Sequence, residues 1–196
     1  GCSMNRDELI VDSFAGGGGA SLGITWATGR CPDIAINHDR DALTMHAENH
    51  PRTEHVLENV WRADLKALTK GRPVGLLWAS PDCRHFSRAK GGQPVSKQVR
   101  SLAWIVCKWA AQIRPRVICL ENVREFAEWG PIVPQWKCRE CDWKGTEGQA
   151  TLVRTRIKCP RCDGRKLVIT EQLIPCPQRK GLTFKRWAGR LKRLGY

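Results

Sequence analysis

The sequence predicts an α/β fold with a mostly parallel central sheet, and three observations lead there. Short apolar runs of strand length alternate with helical patterns along most of the chain. Gly16, Gly17, Gly18 and Gly19 lie directly between the first such run and the first helix. The unusual polar residues gather at the carboxyl ends of the runs, where ligands bind in sheets of this kind. A length of 196 residues suits one ordinary domain with a small appended module.

Taken in order, residues 9–14 (LIVDSF) form a short apolar strand. After the glycines, residues 20–28 read as a helix. Residues 33–37 are the second strand. Residues 39–49 are the second helix, stopped by Pro51, because proline lacks the backbone donor a helix needs. Residues 54–60 and 74–79 are the third and fourth strands. Leu102, Ile105, Val106, Trp109, Ala110 and Ile113 follow the i, i+3, i+4, i+7 rule of an amphipathic helix, which Pro115 ends. Residues 117–120 form a fifth strand that runs into Glu121, Asn122 and Val123. Phe184, Trp187, Ala188, Leu191 and Leu194 mark a last amphipathic helix, with Gly195 as its C-terminal cap. Residues 136–167 break this rhythm. They are polar, basic and cysteine-bearing, and read as an insertion.

Charge narrows the partners. Thirty-three Lys and Arg against nineteen Asp and Glu leave a net charge of +14, which favours a polyanion, nucleic acid being the commonest. No apolar run of about 18 residues occurs, so no membrane span is expected. No basic-then-apolar leader is visible either. Ten cysteines in such a chain point to metal and thiol chemistry rather than disulfides. Cys107 and Cys119 lie in apolar segments and read as small core residues. His46 and His50, four apart on a helix with no third ligand in view, read as surface residues.

Two local patterns carry chemistry. The glycine run allows positive φ and close approach of a ligand to the backbone, and the helix start beyond it offers N–H groups to negative charge. As a dinucleotide turn the match is imperfect, because Ser21 stands at the third glycine position. The pairs Cys138-x2-Cys141 and Cys159-x2-Cys162, with seventeen residues between them, have the spacing of a structural zinc site resembling a zinc ribbon. Around them lie Lys137, Arg139, Lys144, Arg154, Arg156, Lys158, Arg161 and Arg165, as phosphate contacts or as an ordinary metal-pinned surface.

Three motifs together resemble the cytosine-C5 DNA methyltransferases: DSFAGGGGASLG (residues 12–23), SPDCRHFS (residues 80–87) and the triplet Glu121-Asn122-Val123. They occur in that family's order and at the expected strand ends. The resemblance implies a Rossmann-like class I S-adenosylmethionine-dependent methyltransferase with a small zinc-ribbon insertion. It implies a catalytic domain over residues 5–135 and 168–196, interrupted by the insertion at 136–167. By position, Phe14 would lie against the cofactor's adenine, and Gly16, Gly18 and Gly19 beside its methionine part. Asn37 would face the ribose and Asn59 the adenine amine, where the family usually has acidic residues. Cys83 would be the nucleophile, adding to carbon 6 of cytosine. Arg84 and His85 would favour its thiolate, and Asp82 would oppose it. Pro81 stands one place earlier than the family's proline. Glu121 would face the ring's N3 edge, held by Asn122 and Val123. Arg88, Lys90 and Arg100 could contact phosphates.

The family continues past this point with an arginine-bearing motif, a target-recognition domain and a cofactor-side helix. The chain would then be a fragment, a split-gene subunit or a truncated product. The expected partners are DNA and, for a split-gene subunit, a separate C-terminal half carrying the target-recognition domain, with no membrane. The expected setting is the cytoplasm of a bacterium or phage-infected cell, in restriction–modification. The expected cofactors are S-adenosyl-L-methionine and structural Zn2+. Methylation of RNA, an inactive zinc-ribbon nucleic-acid binder and a nicotinamide enzyme are the alternatives.

Overall fold

The structure, a computed structural model, describes residues 5–83, 101–153 and 156–196. Arg84, His85, Arg88, Lys90, Arg100 and Arg154 lie outside the described residues. The chain divides into two compact units. One comprises the residues up to Cys83, with Ser101–Asn122 and Trp187–Tyr196; the other, among described residues, is Val123–Arg186.

The first unit is built on a five-stranded parallel sheet in the order β3-β2-β1-β4-β5. The strands are β1 (Leu9–Ser13), β2 (Ile34–Asn37), β3 (Glu54–Leu57), β4 (Val74–Ala79) and β5 (Val117–Leu120). Every residue of β1 is buried, which is why Leu9, Ile10 and Val11 follow one another without alternating with polar residues. Between the strands run α1 (Gly19–Thr28), α2 (Arg40–Asn49), the single turn α3 (Leu65–Leu68) and α4 (Trp104–Ile113). The side chains of Asp39 and Asp64 cap α2 and α3 by accepting backbone N–H bonds. From β1 the chain builds outward to β3, then crosses to β4 on the other side of β1. That reversal opens a crevice at the carboxyl ends of β1 and β4.

The larger core lies on one face of this sheet, with Val11, Ile36, Leu77, Ile105, Val106 and Trp109 wholly buried. Each large apolar side chain so buried contributes about 1.5–3 kcal/mol. Ile10, Ile24 and Leu76 form a smaller cluster. Cys107 is buried as expected, and burial pushes its thiol up to about 11. The last helix, α5 (Leu182–Arg193), brings Trp187 into the first unit, where its indole N–H donates to the Ala103 carbonyl at 2.9 Å. Gly195, at φ +100, closes the helix.

Two expectations are corrected. The third strand ends at Leu57, not at residue 60, because Asn59 starts a turn. Its Oδ1 accepts the Trp61 N–H at 3.0 Å, and its carbonyl accepts those of Arg62 and Ala63. His46 and His50 are not surface residues: they are 0% and 4% exposed. With Leu43 they occupy i, i+3 and i+7 on the inward face of α2, a stripe whose polar members hide it from a hydrophobic pattern.

The second unit holds two strands that the sequence reading did not contain, β6 (Ile132–Cys138) and β10 (Leu167–Pro175). They pair antiparallel, and β7 (Lys144–Gly145) joins the other side of β6. Most of their residues are half-buried or exposed, and Pro134 in β6 and Glu171 and Gln172 in β10 interrupt the apolar residues, so neither shows a clean period-two alternation. A hairpin of β8 (Thr151–Val153) and β9 (Arg156–Lys158) lies between the cysteine pairs. Phe126 stacks on Trp129 at 5.5 Å between ring centroids and meets Phe184 edge-on at 5.4 Å. Among the described residues, no helix is long and apolar enough to cross a membrane.

Candidate active site and zinc centre

The glycine turn leaves β1 at its carboxyl end and opens α1. Gly16 and Gly19 are exposed, and a Cβ added at either would meet no heavy atom of the described residues within 4 Å. Gly17 and Gly18 are different: a Cβ there would lie 2.5 Å from the Met45 sulfur and 2.7 Å from the His50 ring, respectively. Gly18 also has φ +104 and serves as the cap of α1, which lacks a side-chain cap and has no acidic residue in its first turn. Amide donors at such a helix start suit a negatively charged ligand group. An open cradle at Gly16 and Gly19 beside that helix start fits a ligand bearing a carboxylate, as the methionine part of S-adenosylmethionine does.

Phe14 precedes the turn at φ 62, a left-handed conformation that costs a non-glycine residue about 1–2 kcal/mol. Such strain gathers at functional sites. Its half-buried ring lies 6.5 Å from that of Trp109. Asn37, at the end of β2, donates from Nδ2 to the Ala15 carbonyl at 2.5 Å, and its Oδ1 accepts the Asp39 N–H at 3.0 Å. It therefore ties the glycine turn to the second strand. Asn59, two residues beyond β3, uses Oδ1 within its own turn.

Cys83 and Glu121 follow neighbouring strands. β4 pairs with β5 as far as Ala79 and Leu120, and the Glu121 N–H continues the ladder to the Ala79 carbonyl at 2.9 Å. The Asn122 amide donates to the Pro81 carbonyl at 3.0 Å, joining the cysteine loop to the Glu-Asn-Val segment. Cys83 is half-buried and Glu121 exposed. Asn122 thus holds the chain two residues before the thiol.

Sequence reading missed a buried polar cluster beneath the glycine turn: Asp12, Ser21, His46 and His55. Burial pushes the Asp12 carboxyl up to about 6, against the opposing bond from Ser21, and the negative charge of Glu121 adds to the rise. Burial, with the charges of His50 and His55, pulls His46 down to about 4. The sequence signal was Asp12 itself, an acid directly after the apolar residues of β1.

In the second unit the four cysteines converge. The sulfur atoms of Cys138, Cys141, Cys159 and Cys162 all lie within 4.8 Å of one another. Cys138 to Cys162 and Cys141 to Cys159 are each 3.7 Å. A tetrahedral zinc with bonds of about 2.3 Å sets its sulfurs about 3.8 Å apart, so the group could hold Zn2+ with little change. Each pair forms a knuckle in which a backbone N–H points at the first sulfur, from Glu140 to Cys138 at 3.4 Å and from Arg161 to Cys159 at 3.5 Å. Those donors suit thiolates.

A parallel sheet in 3-2-1-4-5 order, with a glycine turn after its first strand and loops at its carboxyl ends, defines a Rossmann-like methyltransferase fold. The chain belongs to the C-5 cytosine-specific DNA methylase family, whose profile matches residues 9–129. S-adenosylmethionine is the methyl donor of that family. Type II methyltransferase M.AluI of Cellulosimicrobium cellulans is 25% identical over 137 residues, covering 66% of this chain and 26% of that protein. A solved candidate DNA modification methyltransferase, encoded within an E. coli prophage, is 26% identical with a TM-score of 0.51, over 59% of this chain and 32% of that one. The chain therefore spans about a quarter to a third of the length of these proteins.

Proposed function

We propose that this chain carries the cofactor-binding and nucleophile-bearing part of a DNA cytosine-C5 methyltransferase. The reading rests on one shared strand edge, where the glycine turn, the Cys83 loop and Glu121 follow the adjacent strands β1, β4 and β5. Phe14, Gly16, Gly18, Gly19, Asn37 and Asn59 hold the cofactor. S-adenosylmethionine, when bound, supplies an electrophilic methyl group.

Carbon 5 of cytosine is a poor nucleophile, and the chain's own residues change that. The Cys83 thiolate forms a bond from Sγ to carbon 6, and the displaced ring electrons move toward N3. Glu121 holds a proton at that N3 edge and stabilises the charge arriving there. Carbon 5 is then electron-rich enough to take a methyl group. Water takes the proton from carbon 5, the electrons of that C–H bond re-form the carbon 5–carbon 6 double bond and expel Sγ as thiolate, and return of the N3 proton to Glu121 restores the ring. The base must leave the duplex for this, at about a few kcal/mol, which phosphate contacts from basic residues offset.

Residues 5–135 and 168–196 form the methyltransferase domain. Residues 136–167 are a zinc-pinned insertion in which Cys138, Cys141, Cys159 and Cys162 are structural ligands. A C-terminal region carrying target recognition completes the enzyme, and the setting is the cytoplasm of a bacterium or phage-infected cell.

The test is calorimetric titration of S-adenosylmethionine into the 196-residue chain. It is followed by labelled-methyl transfer to DNA and to transfer RNA, with a relative's C-terminal half supplied. Wild type should bind the cofactor and methylate DNA. Cys83→Ser should keep cofactor binding and lose methylation by roughly a thousandfold or more. Undiminished methylation by Cys83→Ser removes the mechanism. Transfer to RNA alone moves the substrate class. Nucleic-acid binding without any methylation by wild type favours a binding protein.

A further inference from the structure

Hydrogen-bond arithmetic gives the buried cluster one direction. The Ser21 hydroxyl, 0% exposed, donates its single proton to Asp12 Oδ2 at 2.6 Å. At 2.9 Å from His46 Nε2 it can then only accept, so His46 carries its proton on Nε2. A neutral His46 must accept at Nδ1, which lies 2.8 Å from His55 Nε2. The chain of donors therefore runs His55 to His46 to Ser21 to Asp12, linking β3, α2, α1 and β1. Its buried position at 0% exposure and its depressed affinity for a second proton both keep His46 neutral.

The same helix grips the turn from outside that chain. Asn49 Nδ2 donates to the Gly17 carbonyl at 3.0 Å, and His50 Nε2 meets the Gly18 carbonyl at 3.1 Å, where it must be the donor. Gly17 and Gly18 have no room for a Cβ on this side, whereas a Cβ at Gly16 or Gly19 meets none of the described residues within 4 Å. One wall of the turn is thus fixed by α2 and the other left for a ligand. Ser21 is the residue that departs from a dinucleotide turn, and its hydroxyl joins α1 to the relay.

We propose that Asn49 and His50, with the Ser21–His46–His55 relay behind them, are positioning residues that hold the glycine turn in its ligand-ready shape before any cofactor arrives. The proposal rests on the reading of that turn as the S-adenosylmethionine site, but its first readout needs no cofactor. Amide hydrogen exchange is measured on residues 15–22 of the cofactor-free 196-residue chain. Asn49→Asp, nearly isosteric but unable to donate, and His50→Leu should speed exchange there about tenfold, the scale of one lost hydrogen bond, with β1 and β4 unchanged. His50→Gln, which keeps a donor, should restore most of the protection. Affinity for S-adenosylmethionine should fall about tenfold in the first two variants and recover in the third. Exchange equal to wild type in both Asn49→Asp and His50→Leu overturns the proposal. Faster exchange in a chain that binds no S-adenosylmethionine supports the positioning role and removes the cofactor reading instead. Should His50→Leu fail to fold, Asn49→Asp, whose bond is at the surface, decides alone.

Discussion

Two alanine substitutions two residues apart, at Gly16 and Gly18, should behave in opposite ways, and the turn's geometry sets both outcomes. In Gly18→Ala the new methyl group sits at φ +104, which costs an L-residue about 1–2 kcal/mol. It also lies 2.7 Å from His50 Cδ2 and Nε2. The ring must move, and its bond to the Gly18 carbonyl goes with it, at about 1–3 kcal/mol. Together the loss is about 2–5 kcal/mol. For a chain of this size each kcal/mol shifts the midpoint by roughly 2–4 °C, so Tm should fall by about 4–20 °C. Gly16→Ala adds a methyl group that meets none of the described residues within 4 Å, at a residue without positive φ. Its stability should stay within about 1 kcal/mol of wild type. If the open side is the cofactor cradle, the same methyl group should weaken S-adenosylmethionine binding by about tenfold or more. Thermal melts and calorimetric titration of the two variants read both quantities. Equal destabilisation by the two substitutions, or full cofactor affinity in Gly16→Ala, would refute the reasoning.

Chelation of zinc should unfold the four-cysteine segment, because sites of this kind supply about 10–16 kcal/mol of apparent folding energy. Hydrogen exchange should rise across residues 138–162 while the parallel sheet stays protected; a chain with no bound zinc by elemental analysis and unchanged exchange after chelation removes the site. The buried ionisable groups predict opposing pH slopes. Asp12, raised from 3.8 to about 6, stabilises the fold fully below pH 3.8, and that contribution is lost as pH rises through 6. His46, lowered from 6.5 to about 4, contributes above pH 6.5, and that contribution is lost as pH falls through 4. Asp12→Asn should remove the first slope and leave the second, so urea-derived stability should climb more steeply with pH between about 4 and 6.5 than in wild type. A slope identical to wild type would show that Asp12 titrates in the fold as it does in the unfolded chain.

Much of the candidate site was legible because it is written in short-range chemistry. The fourth and fifth strands match their apolar runs end for end, and residues 20–28 begin α1 one residue late. Glycines between a strand and a helix need no partner to announce a turn, and Cys-x2-Cys pairs announce their geometry by spacing alone. The missed pieces depend on what a residue meets after folding. A histidine four places from another looks the same on paper whether it faces water or, as His46 does, a serine 25 residues away. Strands β6 and β10 carry apolar residues, but Pro134, Glu171 and Gln172 break their alternation, so the local pattern does not mark them as strands.

What the sequence determined by itself was the alternation of strand and helix, the flexible turn, the thiol and carboxyl residues at strand ends, and the thiol pairs. These follow from periodicity and backbone sterics, which act within a few residues. Only tertiary structure decided that β4 lies beside β1, that Asn37 reaches back 22 residues to the Ala15 carbonyl, and that Asn122 reaches 41 residues to Pro81. Polar groups removed from water must find partners wherever packing brings them, and packing is a property of the whole fold.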